Sequence, residues 1–138
     1  MMKSEVVLNI IDEMKDEIID LLKEVMASEP VNPLYDKTGK RSELKCSQII
    51  SERMRKMGLS PVEFDIDLNE LKEFKGGPGY IEGFTDKMNF KDRPNVVAKI
   101  PGKKPDKARS LLLSGHLDVV AADDVEKWKF DPFVPTIK

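Results

Sequence analysis

The stretch Leu111-Leu112-Leu113-Ser114-Gly115-His116-Leu117-Asp118-Val119-Val120 decides the reading of the chain. Three consecutive leucines leave no wet face, so they predict a central strand buried on both sides. Ser114 and Gly115 close that run, and the one histidine of the chain follows. His116 and Asp118 are two positions apart, so extended backbone turns both side chains to the same side. A carboxylate placed there can fix the tautomer and orientation of an imidazole, the usual arrangement behind a metal-bound histidine. The position suits a site, because open α/β sheets hold their ligands beyond the carboxyl ends of strands. A hydrogen-bonded structural histidine fits the same pattern. A triad of Ser114, His116 and Asp118 does not, since such close positions on one extended strand do not converge on one reacting carbon.

Outward from this stretch, helical and strand periods alternate. Residues 95–100 (NVVAKI) predict a strand, and 102–109 (GKKPDKAR) its solvated connection to the leucine run. Val62, Phe64 and Ile66 alternate with Glu63 and Asp65, which predicts a strand with one buried face. Residues 42–57 predict a helix that buries Cys46, Ile49, Ile50, Met54 and Met57. Arg53, Arg55 and Lys56 suit its negative end, and Gly58 stops it. Residues 4–27 predict a longer amphipathic helix carrying Val7, Ile10, Ile11, Met14, Ile18, Leu21, Leu22 and Val25 at helical spacing. Ser4 is its expected N-cap, and Pro30 and Pro33 forbid its continuation. Asp67, three residues before Glu70, opens a short helical turn through Phe74. Residues 75–83 (KGGPGYIEG) lack the strand-to-helix setting of a phosphate-binding loop and read as plain loop. The fold class is α/β, with no internal repeat and no domain boundary.

A chain of 138 residues, 40% hydrophobic and 35% charged, suffices for one domain with a modest core. A net charge of -2 lacks the clustered basic excess of a nucleic-acid binder. No run is long and apolar enough to span a membrane. Asp12, Glu13, Asp16 and Glu17 interrupt the N-terminal apolar positions, so no secretory signal is expected. The single cysteine, Cys46, allows no intramolecular disulfide and fits a cytoplasmic setting. On the buried side of its helix it reads as a packing residue rather than a nucleophile.

Gly115-His116-Leu117-Asp118-Val119-Val120, after a leucine-rich strand, resembles the G-H-x-D-V-V signature of the M20 metallopeptidase and deacylase family. That family includes acetylornithine deacetylase and succinyl-diaminopimelate desuccinylase. Arg93-Pro94-Asn95-Val96-Val97-Ala98 resembles the R-x-N-V-V-A strand that precedes the signature, and Trp128 with Asp131-Pro132-Phe133 resembles its W-x-x-D-P-F continuation. The resemblance covers essentially the whole chain but only the opening part of a typical member.

What the resemblance implies is the N-terminal portion of an α/β/α sandwich on a mixed sheet, truncated before the lid and dimerisation domain. His116 takes the place of a direct metal ligand, and Asp118 that of the catalytic carboxylate that orients it. Trp128, Asp131 and Phe133 take positions that hold a loop. The implied activity is metal-dependent hydrolysis of N-acyl amide bonds in small, amino-acid-like substrates. Two zinc or cobalt ions are expected in the complete parent, which the resemblance pictures as a homodimer without nucleic-acid or membrane partners. The remaining ligands of the family pattern have no matching segment here, so the chain alone is expected to be inactive and to hold zinc weakly. Other readings stay open: a non-catalytic truncated gene product, a formylaminopyrimidine hydrolase, or a carboxypeptidase of the same family.

Overall fold

The computed structural model describes residues 4–32, 34–36, 38, 40–77, 80–103 and 107–137. The chain divides into two compact units, one reaching to Glu29 and resuming at Ala122, the other Pro30–Ala121. Nothing in the composition marks that division.

In the first unit the helix expected over residues 4–27 is present as α1 (Ser4–Glu13) and α2 (Lys15–Ala27). They part at Met14, where ψ is -1 instead of the helical value near -42°. Ladder bonds still run into and out of this unwound turn, from Met14 N–H to the Ile10 carbonyl (3.0 Å) and from Ile18 N–H to the Met14 carbonyl (2.9 Å). Ser4 stands inside the first turn rather than ahead of it. At the far end the Ser28 hydroxyl donates to the Val25 carbonyl (2.7 Å), and Pro30 follows; Pro33 lies outside the described residues. No residue of α1 or α2 is buried, and Leu8, Ile11, Ile18 and Leu22 leave the apolar stripe open.

The second unit has a small core centred on Val31 and Cys46. The helix expected over 42–57 is α3 (Leu44–Lys56). Cys46 is buried as expected, but Met57 is 64% exposed, which corrects its place on the inner face. The reason is the helix end. Gly58, at φ +79, donates to the Arg55 carbonyl (2.9 Å) and Leu59 N–H to the Met54 carbonyl (3.0 Å), turning the chain away after Met57. Ser47 and Ser51 occupy the buried face beside Cys46, and the Ser47 hydroxyl donates to the Leu44 carbonyl (2.8 Å).

Strands β1 (Val62–Phe64) and β2 (Asn95–Val97) pair antiparallel, with Val62 opposite Val97 and Phe64 opposite Asn95. Both lie against α3, and Arg55 Nη2 reaches Glu63 at 3.0 Å. The two strands are shorter than expected, and Val62 and Phe64 are exposed, so the predicted inner face of β1 is not covered. Asp67 does cap α4 (Leu68–Lys72), accepting from Asn69 N–H at 2.7 Å. The loop after α4 is tied by its own side chains. Tyr80 donates to Asp86, Gly83 N–H to the other Asp86 oxygen (2.9 Å), and Ile81 N–H to Thr85 Oγ1 (3.0 Å). Pro78, Gly79 and residues 104–106, which belong to two expected loops, are outside the described residues.

The largest departure is the leucine run. Leu111, Leu112 and Leu113 form no strand and are 82%, 85% and 84% exposed. A strand buried on both faces needs paired neighbours and covering layers. The two-stranded β1–β2 ribbon does not reach this stretch. Among the described residues, pairing resumes only at Val119, which forms a parallel bridge with Val31.

Candidate functional site

Two backbone bonds place the histidine motif. Val119 N–H donates to the Pro30 carbonyl, and Asn32 N–H to the Val119 carbonyl, both at 2.9 Å. Val31, between the two, is fully buried and anchors the bridge. The residue before Val119 is thereby brought beside Asn32, whose Nδ2 donates to Asp118 Oδ2 at 2.9 Å. Asn32 Oδ1 accepts from Leu34 N–H at 3.0 Å. An amide N–H can bond only to the oxygen end of the carboxamide, so the chemistry fixes which end faces Asp118.

His116 Nδ1 lies 2.8 Å from the Asp118 backbone carbonyl and 3.5 Å from Asp118 Oδ1. The two predicted side chains do meet, but the shorter contact is to the carbonyl. A carbonyl oxygen only accepts, so Nδ1 carries the proton and the neutral ring keeps its lone pair on Nε2. The His116 side chain is 83% exposed and that of Asp118 34%. The Asn32 amide holds the Asp118 carboxyl below its ordinary range, against the opposing effect of partial burial. Its own backbone N–H and the charge of Arg93 add to the lowering, and so does His116 whenever its ring is protonated.

The loop that carries Asn32 is organised by a second carboxylate. Asp36, its side chain wholly buried, accepts from Thr38 N–H (3.0 Å), the Thr38 hydroxyl (2.6 Å), Lys40 N–H (2.8 Å) and Arg41 N–H (2.8 Å). The Asn32 carbonyl in turn accepts from Tyr35 N–H (2.8 Å) and Asp36 N–H (3.1 Å). Arg93, ahead of β2, forms a buried pair with Glu43, just ahead of α3. In the other unit the Trp128 indole donates to the Ala122 carbonyl (2.9 Å), and Asp131 Oδ1 accepts from Phe133 N–H (2.9 Å). Both are loop-holding contacts.

Among the described residues no three His, Cys, Asp or Glu side chains gather to hold a metal ion. The open ring nitrogen of the pair is His116 Nε2, with Asp118 on the Nδ1 side of the ring. Among the described residues no helix is long and apolar enough to cross a membrane. Asn32 and Glu43 escaped the sequence reading. Asn32 meets its partner across 86 residues and Glu43 across 50, and no local spacing signals either contact.

Over 66 residues the chain is 38% identical to an N-formyl-4-amino-5-aminomethyl-2-methylpyrimidine deformylase of Halalkalibacterium halodurans, covering 42% of this chain and 16% of the relative. A succinyl-diaminopimelate desuccinylase of Polynucleobacter necessarius is 46% identical over 44 residues, 32% of this chain and 12% of the relative. An uncharacterized metallohydrolase of Methanocaldococcus jannaschii is 27% identical over 124 residues, 89% of this chain and 26% of the relative. No family model and no solved structure matches. The matches span from 12% to 26% of the length of these relatives. The homologues of the chain are thus M20-family-like deformylases, desuccinylases and metallohydrolases, each matched over only part of its length.

Proposed function

We propose that the chain contributes one metal ligand and its orienting carboxylate to a metal-dependent hydrolase of N-acyl amide bonds. The observation that carries this reading is the His116–Asp118 pair. Nδ1 is committed to the Asp118 carbonyl at 2.8 Å, which leaves the lone pair of an exposed ring on Nε2. His116 is the ligand through that nitrogen. Asp118 Oδ1, facing Nδ1 at 3.5 Å, favours the protonated Nδ1 and so raises the donor strength of Nε2. A bound zinc or cobalt ion supplies Lewis acidity toward a carbonyl and toward a water molecule.

The names of the deformylase and desuccinylase relatives support a small N-acylated substrate, amino-acid-like or a formylaminopyrimidine. In this reading residues 1–138 are the N-terminal portion of a catalytic domain built as an α/β/α sandwich on a mixed sheet. The whole protein holds two metal ions and works as a homodimer in the cytoplasm. The test is hydrolysis of N-formyl and N-succinyl amines by a full-length protein containing this sequence, with zinc or cobalt, beside His116→Ala. Metal-dependent turnover that disappears in the variant is expected. Turnover indifferent to the substitution or to a chelator overturns the assignment.

One observation favours a second reading for the 138-residue chain by itself. His116 has no companion ligands gathered around it among the described residues, whereas catalytic zinc uses three protein ligands. The chain alone is then non-catalytic, and metal-dependent turnover by it would overturn that reading.

A further inference from the structure

We propose that Asn32 is a positioning residue for the His116–Asp118 pair; the role rests on the reading of His116 as a metal ligand. The Asp118 carboxylate has two oxygens with separate duties. Oδ2 is anchored by Asn32 Nδ2 at 2.9 Å, which leaves Oδ1 turned toward His116 Nδ1 at 3.5 Å. A free aspartate would rotate about its side-chain bonds and lose that alignment.

Asn32 can serve as an anchor because every polar group it owns is engaged. Its N–H donates to Val119, its carbonyl accepts from Tyr35 and Asp36, and Oδ1 accepts from Leu34 N–H. The side chain must accept on one side and donate on the other. Aspartate satisfies Leu34 but presents a second carboxylate to Asp118, while serine is too short to reach both. The described residues behind Asn32 are tied by a separate set of contacts, since four donors converge on the buried Asp36 carboxylate. One carboxamide links these contacts to the carboxylate that faces the imidazole.

The experiment uses the single histidine of the chain as its reporter. With histidine labelled in both ring nitrogens, magnetic resonance of the neutral ring, in solution or frozen, gives the ratio of the Nδ1–H to the Nε2–H form. The wild-type chain is expected to favour Nδ1–H. Asn32→Asp keeps the acceptor for Leu34 N–H but replaces the donor to Asp118 with a second carboxylate, so the uncharged Asn32→Ser is measured beside it, and a purely structural role predicts an unchanged ratio in both. Positioning predicts a fall of about twofold or more. If Asn32→Asp does not fold, Asn32→Ser is read in the same way. Equal ratios in wild type and variant overturn the proposal, as does a wild-type ring that favours Nε2–H. A cobalt titration of a full-length protein containing this sequence, beside its His116→Ala variant, separates this outcome from failure of the functional reading. A ratio that responds to Asn32 while cobalt ignores His116 leaves the positioning role standing and removes the metal assignment.

Discussion

Arg93 and Glu43, 50 residues apart in the chain, meet as a buried two-pronged ion pair. Nε lies 3.0 Å from both carboxylate oxygens, and Nη2 lies 2.8 Å from Oε1. Both side chains are largely shielded from water. Removing one partner strands a charge in that setting, which typically costs about 3–5 kcal/mol. Glu43→Ala is therefore expected to lower stability by that amount and to bring the second unit near unfolding. Arg93→Lys is expected to recover little, because an ammonium cannot repeat the planar fork. Urea titration followed by circular dichroism checks both, and a loss below about 1 kcal/mol in Glu43→Ala would show that the pair opens in solution.

Asp36 predicts an acid-sensitive loop. The Thr38 hydroxyl first, and then the Arg41 backbone N–H, hold its carboxyl far below the usual range, outweighing the opposing effect of burial; the Thr38 and Lys40 N–H groups add to them. A carboxyl depressed in the folded state adds stability that is full above its unfolded value, about 3.9, and is lost as the pH falls toward the folded one. Wild type should thus lose stability steadily as the pH drops below about 4. Asp36→Asn should be less stable at neutral pH, and the gap between the two should close in acid. Thermal unfolding across that range measures it, and a gap that widens in acid contradicts the assigned network.

For the metal site in a full-length protein containing this sequence, His116→Ala should abolish the spectral change that cobalt produces. Asp118→Ala should retain it with an affinity lower by about 10- to 100-fold, the usual loss when the group behind a metal-bound histidine is removed. Cobalt absorption during titration reads both. An Asp118→Ala chain that binds cobalt like wild type would remove Asp118 from the site.

The leucine run carries an unusual expectation for three apolar residues in a row. Each is more than four-fifths exposed. Leu112→Lys should therefore change the unfolding free energy by no more than about 0.5 kcal/mol, as for an ordinary surface position. It should also reduce the binding of an apolar dye and any self-association of the chain. A large loss of stability would show that the run is packed in solution.

How much of this was legible in the sequence follows from the range of each contact. The helical period over residues 42–57, the glycine stop at Gly58 and the Asp67 cap are set within a few residues, and each is formed. His116 and Asp118 were paired by their spacing, and they meet. Periodicity reports the burial a segment is suited for, however, and not what covers it. Leu111–Leu113, Val62 and Phe64 have the pattern of inner positions and are exposed. The division of residues 4–27 at Met14 depends on a local unwinding that the unbroken apolar spacing does not register. Asn32 was invisible because its value lies wholly in a partner 86 residues away.

That separation governs the order in which the molecule can assemble. The bridge between Val31 and Val119 rests on two backbone hydrogen bonds, and the Asn32–Asp118 contact adds one more. Closing so long a loop is entropically costly before any contact offsets it, while each further doubling of its length adds only about 0.6 kcal/mol. α3 and its Gly58 terminus can form as soon as they leave the ribosome; the histidine motif must wait until Val119 has emerged to meet Val31. The same arithmetic runs backwards in the folded protein. The amide protons of Asn32 and Val119 should exchange with solvent through a local opening that leaves α3 protected, so the imidazole is shelved on a contact that closes after α3 and opens before it.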